Sequence, residues 1–327
     1  SWGELMAAVK PEQLNIIPSD QNSSGLTWAS ILLGYPILGI WYWCADQTIV
    51  QRVLGAKELT DAKLGPIFAG FLKILPVFIM VLPGVLGYVL FHNQIADAND
   101  VLPVLITELM PVGLTGLMSA ALLAALMSTI AAALNSAGTL VTIDLVKRRN
   151  PDVSDEKQVY IGRVTAVIVM VIAILWSPLI AKFDSIFEAI NVLLTVISPP
   201  ITAVFIWGVF WKRGNSTGAN ATLIGGFILG LVDFLIDFPV IGSTKVITET
   251  WGISFMMQAW WLFVACSVIL VSVSLATSKP DYERIGPYTM ASPLAFLKTG
   301  LEDGGKKPLI GALCLIVIMV LLYSFVG

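Results

Sequence analysis

Charged residues are scarce in this sequence. Asp, Glu, Lys and Arg make up 13% of its 327 residues, against roughly a quarter in a soluble domain. Histidine is scarcer still, and His92 alone supplies neither a catalytic triad nor a metal cluster. Its place near the end of an apolar run reads as interfacial. Cys44, Cys266 and Cys314 lie in separate apolar runs and match no zinc or redox spacing; they read as packing residues. These shortages exclude an ordinary soluble domain, a zinc module and a histidine-dependent enzyme, and no nucleic-acid partner is expected. A charged N-terminal region followed by a short apolar core is also absent. The chain starts Ser1-Trp2-Gly3 inside a polar stretch, which reads as the later part of a longer protein.

What the sequence does contain is apolar. Hydrophobic residues make up 57%, and the mean hydropathy is +0.85. Stretches near the length of roughly 20 residues that a bilayer requires recur at 27–50, 64–91, 112–145, 159–181, 185–211, 218–238, 251–278 and 308–326. Only helices satisfy their own backbone within one such segment. The expected fold class is therefore an all-α polytopic membrane protein of about eight transmembrane helices, with the lipid bilayer as its first partner. Two spans contain breakers, Gly34-Tyr35-Pro36 in the first and Ser198-Pro199-Pro200 in the fifth. Proline removes a backbone donor, so both are expected to interrupt their helices.

Charge location sets the orientation. Of the 19 basic residues, 15 fall in, or at the edge of, the loops after the first, third, fifth and seventh spans, which the positive-inside rule makes cytoplasmic. Both chain ends then face outward. Lys73 is the one basic residue deep within a span, Arg163 lying at the cytoplasmic edge of the fourth. A net charge of −3 matters less than this asymmetry.

Several polar residues stand out. Ser128 and Thr129 sit in the very apolar segment 121–144 with Asn135, Ser136, Thr139 and Thr142. Small hydroxylated residues serve close helix packing, but positions i, i+3 and i+4 share a face. The carbonyl of Ala125 and the hydroxyls of Ser128 and Thr129 therefore converge as neutral oxygens able to hold a weakly bound hard cation. Tyr42 and Trp43 suit either an interfacial aromatic belt or a stacking surface beneath a solute. Lys73 either snorkels toward the cytoplasm or marks a functional site. Asp46 is placed to pair with Arg52 or to cap a broken helix. Short loops and buried polar groups favour a transporter over a rigid anchor, and no catalytic constellation is visible.

Three segments carry a resemblance. LGIWYWCADQTIVQRVLGAKELTDAKLGPIFAGFLKILPVFIMVLPGV (38–85), ALMSTIAAALNSAGTLVTIDL (125–145) and ISPPITAVFIWGVFWKRGNSTGANATLIGG (197–226) resemble, in order and spacing, the sodium:solute symporters, the sodium/glucose cotransporter family. The resemblance runs from about Trp28 to Gly230. It implies a LeuT-like inverted-repeat fold. Residues 1–26 would be an outward loop, 27–211 the second five-helix repeat, and 212–327 three peripheral helices with a cytoplasmic loop. The first repeat would lie outside this chain.

The same resemblance implies roles. Ala125, Ser128 and Thr129 match the family's sodium-binding carbonyl and hydroxyl pair, with sodium as the co-transported ion. Tyr42 matches an inner gate stacked beneath the sugar, with Trp43 beside it, and Lys73 matches a sugar-binding lysine. Asn191 stands where sugar-transporting relatives carry Gln, and Gly39 where they carry Asn or Thr. These departures fit a sugar-like solute without specifying glucose or galactose. Ala131 and Ala132 stand where relatives with a second sodium place hydroxyls, which implies one sodium per cycle. The expected function is sodium-coupled import of a sugar or sugar-like solute by alternating access across a plasma membrane, of the bacterial inner-membrane kind. Carriers of sialic acid, inositol, carboxylates or amino acids remain alternatives. So does a membrane sensor module, which would need an appended cytosolic domain.

Overall fold

The computed structural model describes residues 26–91, 93–183, 185–237, 245–290 and 306–326. His92 and nearly all of the expected outward loop lie outside these residues. Among the described residues every regular element is helical, and seven helices are long and apolar enough to cross a membrane. In chain order, α1 is Ser30–Cys44, α2 Gln47–Leu54, α3 Leu59–Phe91, α4 Val101–Leu109 and α5 Val112–Lys147. They are followed by α6 Asp155–Ile180, α7 Ile186–Phe210, α8 Ser216–Asp237, α9 Phe255–Ala276 and α10 Lys306–Val326.

The first expected span is not one helix. α1 reaches only about 22 Å at 1.5 Å per residue, short of the roughly 30 Å hydrocarbon core. It stops because the amides of Ala45 and Asp46 both bond the Trp41 carbonyl, at 2.8 and 2.9 Å. Asp46 then takes an extended backbone, and its carboxylate accepts the Thr48 amide at 2.8 Å and the Thr48 hydroxyl. The acid caps α2, and the chain turns there. The Gly34-Tyr35-Pro36 region is the other irregularity of α1, with a π-helical turn over Ser30–Gly34.

The expected break in the fifth span is absent. α7 runs continuously through Pro199 and Pro200, both buried. Pro200 has no N–H to offer the Val196 carbonyl four residues earlier. That carbonyl faces Gly230 of α8, where a Cβ would sit 2.8 Å away. Glycine lets the two backbones close over the freed group. Nearby hydroxyls also reach helix carbonyls, Ser198 to Leu194 at 2.7 Å and Thr195 to Val192 at 2.7 Å. Local polar groups thus hold the helix together where proline weakens it.

Two compact units emerge among the described residues, one comprising those up to Ile79 and from Phe187 onward, the other those from Met80 to Ile186. In the first, α8 and α9 form an antiparallel pair. It is tied at one end by Asn215 bonding Thr277 Oγ1 and the Ser278 carbonyl, both at 2.8 Å. α1 packs on α9 so closely that a Cβ on Gly34 would lie 2.0 Å from the Met256 carbonyl. Ile37 and Leu38 join Phe255, Met256 and Ala259 in a buried cluster that Val192 and Leu194 of α7 flank. Thr202 of α7 donates to the Ile37 carbonyl at 3.0 Å. α10 packs on the Leu59–Leu72 part of α3.

In the second unit, α5 packs against α6, and the end of α3 against α4. Ser154 caps α6, its hydroxyl accepting the Lys157 amide at 3.4 Å, with Asp155 and Glu156 in the first turn. α5 and α6 turn large apolar side chains outward, as with Leu117 at 66% and Leu175 at 73% exposure. Lipid or further helices, rather than water, suit such a surface.

Candidate functional site

The end of α1 and the middle of α3 build one polar cluster. The double bond to the Trp41 carbonyl fixes the last turn of α1, which carries Tyr42 and Trp43. Their rings meet edge to face, with centroids 5.6 Å apart and planes at 89°. On α3, Lys73 closes the segment Leu59–Leu72, with its amide bonded to Ala69 at 3.0 Å, and the helix turns there before continuing. The Lys73 ammonium lies 4.5 Å from the Tyr42 ring centroid and 5.4 Å from that of Trp43. It also approaches Tyr42 Oη at 3.5 Å. A cation over an aromatic face is attracted by the ring quadrupole, more strongly where water is excluded. The three residues singled out in the sequence are therefore brought together.

They line a cavity of about 320 Å³, within the range typical of small-molecule sites. Two further charged residues face it, Arg52 and Asp61. Sequence reasoning did not assign either to the site, yet a signal was present. Ile49, Arg52, Val53 and Ala56 recur at the spacing of one helical face, as do Asp61, Ala62, Gly65, Pro66, Ala69 and Lys73. The cavity therefore holds both signs of charge, aromatic surface and small residues that keep it open.

Gly39 and Asn191 are not among the residues lining this cavity. Gly39 lies one turn before Tyr42 and Trp43, and a Cβ there would meet nothing within 4 Å. The position is open rather than sterically required to be glycine. Asn191 is 7% exposed on α7. Its amide Nδ2 donates to the Phe187 carbonyl at 2.8 Å, so the acceptor Oδ1 is not consumed by that bond.

In the second unit, Ala125, Ser128 and Thr129 lie on α5, all exposed. Thr129 Oγ1 donates to the Ala125 carbonyl at 3.0 Å. That bond uses the hydroxyl proton and leaves oxygen lone pairs on both groups. Ser128 is a neighbour of Ala125 on the same turn. Further along, Ser136 and Thr139 bond back to the Ala132 and Asn135 carbonyls at 2.8 and 2.9 Å. The Thr142 hydroxyl is buried without a hydrogen-bond partner.

These features define a class first: a polytopic, all-helical membrane protein with polar groups set into membrane-length helices. The profile of the sodium:solute symporter family matches residues 4–226. The chain is 41% identical over 293 residues to the sodium/myo-inositol cotransporter 2 of Sus scrofa, covering 83% of this chain and 44% of that protein. It is 34% identical over 315 residues to the sodium/glucose cotransporter 4 of Danio rerio, covering 88% and 48%. To the sodium/mannose cotransporter of Bos taurus it is 30% identical over 311 residues, covering 88% and 52%. This chain belongs to the sodium:solute symporter family. It spans about half the length of these curated relatives.

Proposed function

We propose that this chain forms part of a sodium-coupled symporter that imports a sugar or sugar-like solute by alternating access. The observation that carries the solute side is the Lys73 ammonium seated on Tyr42 in an open cavity at the end of a short, capped helix. Tyr42 offers an aromatic face to the C–H surface of a cyclic polyol, and Lys73 donates to its hydroxyls. Asn191 contributes an acceptor from α7, and Trp43 walls the gate. The open space at Gly39 leaves room for a solute substituent, in keeping with an inositol or mannose as readily as a glucose. Relatives named for transport of myo-inositol, glucose and mannose support a cyclic polyol.

The sodium side rests on Ala125, Ser128 and Thr129. A hard cation prefers oxygen ligands, and neutral ones hold it weakly enough to be released each cycle. These residues supply part of a coordination shell, and the rest would come from the first repeat. In this reading residues 27–211 form the second repeat and 212–327 the peripheral helices, in a plasma membrane. The test is uptake of labelled myo-inositol, glucose, mannose, a sialic acid and an amino acid by the full-length protein. Saturable uptake of a cyclic polyol, reduced at least tenfold by Tyr42→Ala, supports the reading. Uptake of the amino acid alone would move the solute class.

A further inference from the structure

Asp233 has no role in the solute or sodium reading. It lies on α8 one turn before Asp237 and lines a cavity of about 360 Å³ with Trp251, Trp261, Gln258 and Leu229. Among the described residues it makes no hydrogen bond or ion pair. The polar groups around it are committed elsewhere. Asp237 accepts from the Ile247 and Thr248 amides at 2.8 and 3.2 Å, from the Thr248 hydroxyl, and from Gln258 Nε2 at 3.0 Å. Gln258 Nε2 also reaches Thr248 Oγ1 at 3.2 Å. Lys245 is held by Glu188 at 2.7 Å. The intervening sequence FPVIGST, residues 238–244, contains no basic residue. Asp237, one helical turn away, thus adds negative charge near Asp233, while the nearest cation in sequence is already engaged.

A carboxylate beside apolar walls needs a compensating partner. The lining indicates which kind. A small inorganic cation requires about six oxygens, and the side chains lining this cavity offer only the Asp233 carboxylate and the Gln258 carbonyl oxygen, too few to enclose one. Two tryptophans, by contrast, attract organic ammonium groups through their ring faces, and the aliphatic wall accommodates methyl or methylene groups. We propose that Asp233, Trp251 and Trp261 form a binding site for an alkylammonium group, at the end of α8 that the basic-residue distribution assigns to the outer membrane face. Choline or ethanolamine lipid headgroups carry this group, and so do free organic cations.

The experiment uses the full-length protein in nanodiscs of phosphatidylglycerol, whose headgroup lacks an ammonium, titrated with radiolabelled choline. The expected result is saturable binding that Asp233→Asn weakens at least tenfold and Asp233→Glu largely retains. Trp261→Leu should weaken it severalfold, which keeps the test open if Asp233→Asn does not fold. Repeating the titration with phosphatidylcholine in the nanodiscs separates the sources: lost choline binding assigns the site to a lipid headgroup, and unchanged binding assigns it to a soluble cation. No saturable choline binding, or equal binding by wild type, Asp233→Asn and Trp261→Leu, would overturn the proposal. Solute uptake enters none of these readouts, so the result is independent of the transport reading.

Discussion

Lys73 illustrates how much one side chain carries in an apolar setting. A lysine within a membrane segment is unfavourable unless something compensates its charge, and here two aromatic rings share that task. Removing the Tyr42 hydroxyl keeps the ring under the ammonium at 4.5 Å and loses only a long contact of 3.5 Å. Tyr42→Phe should therefore raise the half-saturating solute concentration by about fivefold or less, near 1 kcal/mol. Tyr42→Ala should raise it by at least tenfold, because ring stacking and the cation–π contact go together. Uptake kinetics of the two variants check the order, and equal effects would show that the hydroxyl, not the ring, carries the contact. Position 73 was identifiable from the sequence because it is the lone basic residue deep in a span. Arg52 and Asp61 were not, because charges at a helix rim read first as solvated or positive-inside residues.

At the scale of elements, the cap and the proline pair behave differently from what their residue types imply. Asp46 was readable as either a cap or a partner of Arg52, and the cap is what the structure contains. Asp46→Ala should lower the thermal midpoint of the solubilised full-length protein by a few degrees, since a lost N-cap is worth about 1 kcal/mol. Asp46→Asn, which retains an acceptor, should lie close to wild type. Equal shifts for Asn and Ala would mean that charge, not capping, matters at this position. The proline pair was misread because a broken helix was inferred from α7 alone. Its continuity depends on Gly230 of α8, a long-range neighbour that local sequence does not reveal. The first span was misread for a related reason: hydropathy stays high through Cys44, so only the cap at Asp46 marks the turn.

For the whole molecule, the helical class and seven membrane-length helices were legible because hydrophobic length is a strong signal. The proposed sodium residues stood out mainly through resemblance, since two hydroxyls in an apolar helix serve packing equally well. Ala131 and Ala132 provide no oxygen side chains beyond Thr129, so one sodium should move with each neutral solute. The reversal potential of the reconstituted full-length transporter reads this directly. A second inward charge would add about 2.3 kcal/mol of driving force per 100 mV, and its detection would place a further ion site elsewhere.

The central claim is sodium coupling through Ser128 and Thr129, and solute accumulation in proteoliposomes of the full-length protein tests it most directly. With an inward sodium gradient, the wild type should concentrate the solute; with potassium in place of sodium, it should not. Ser128→Ala and Thr129→Ala should each raise half-saturating sodium by roughly 5- to 150-fold, the equivalent of about 1–3 kcal/mol for a lost polar partner. Thr129→Ser, which keeps the oxygen, should stay near wild type. Accumulation that is the same in sodium and potassium, or alanine variants with unaltered sodium dependence, would contradict the account.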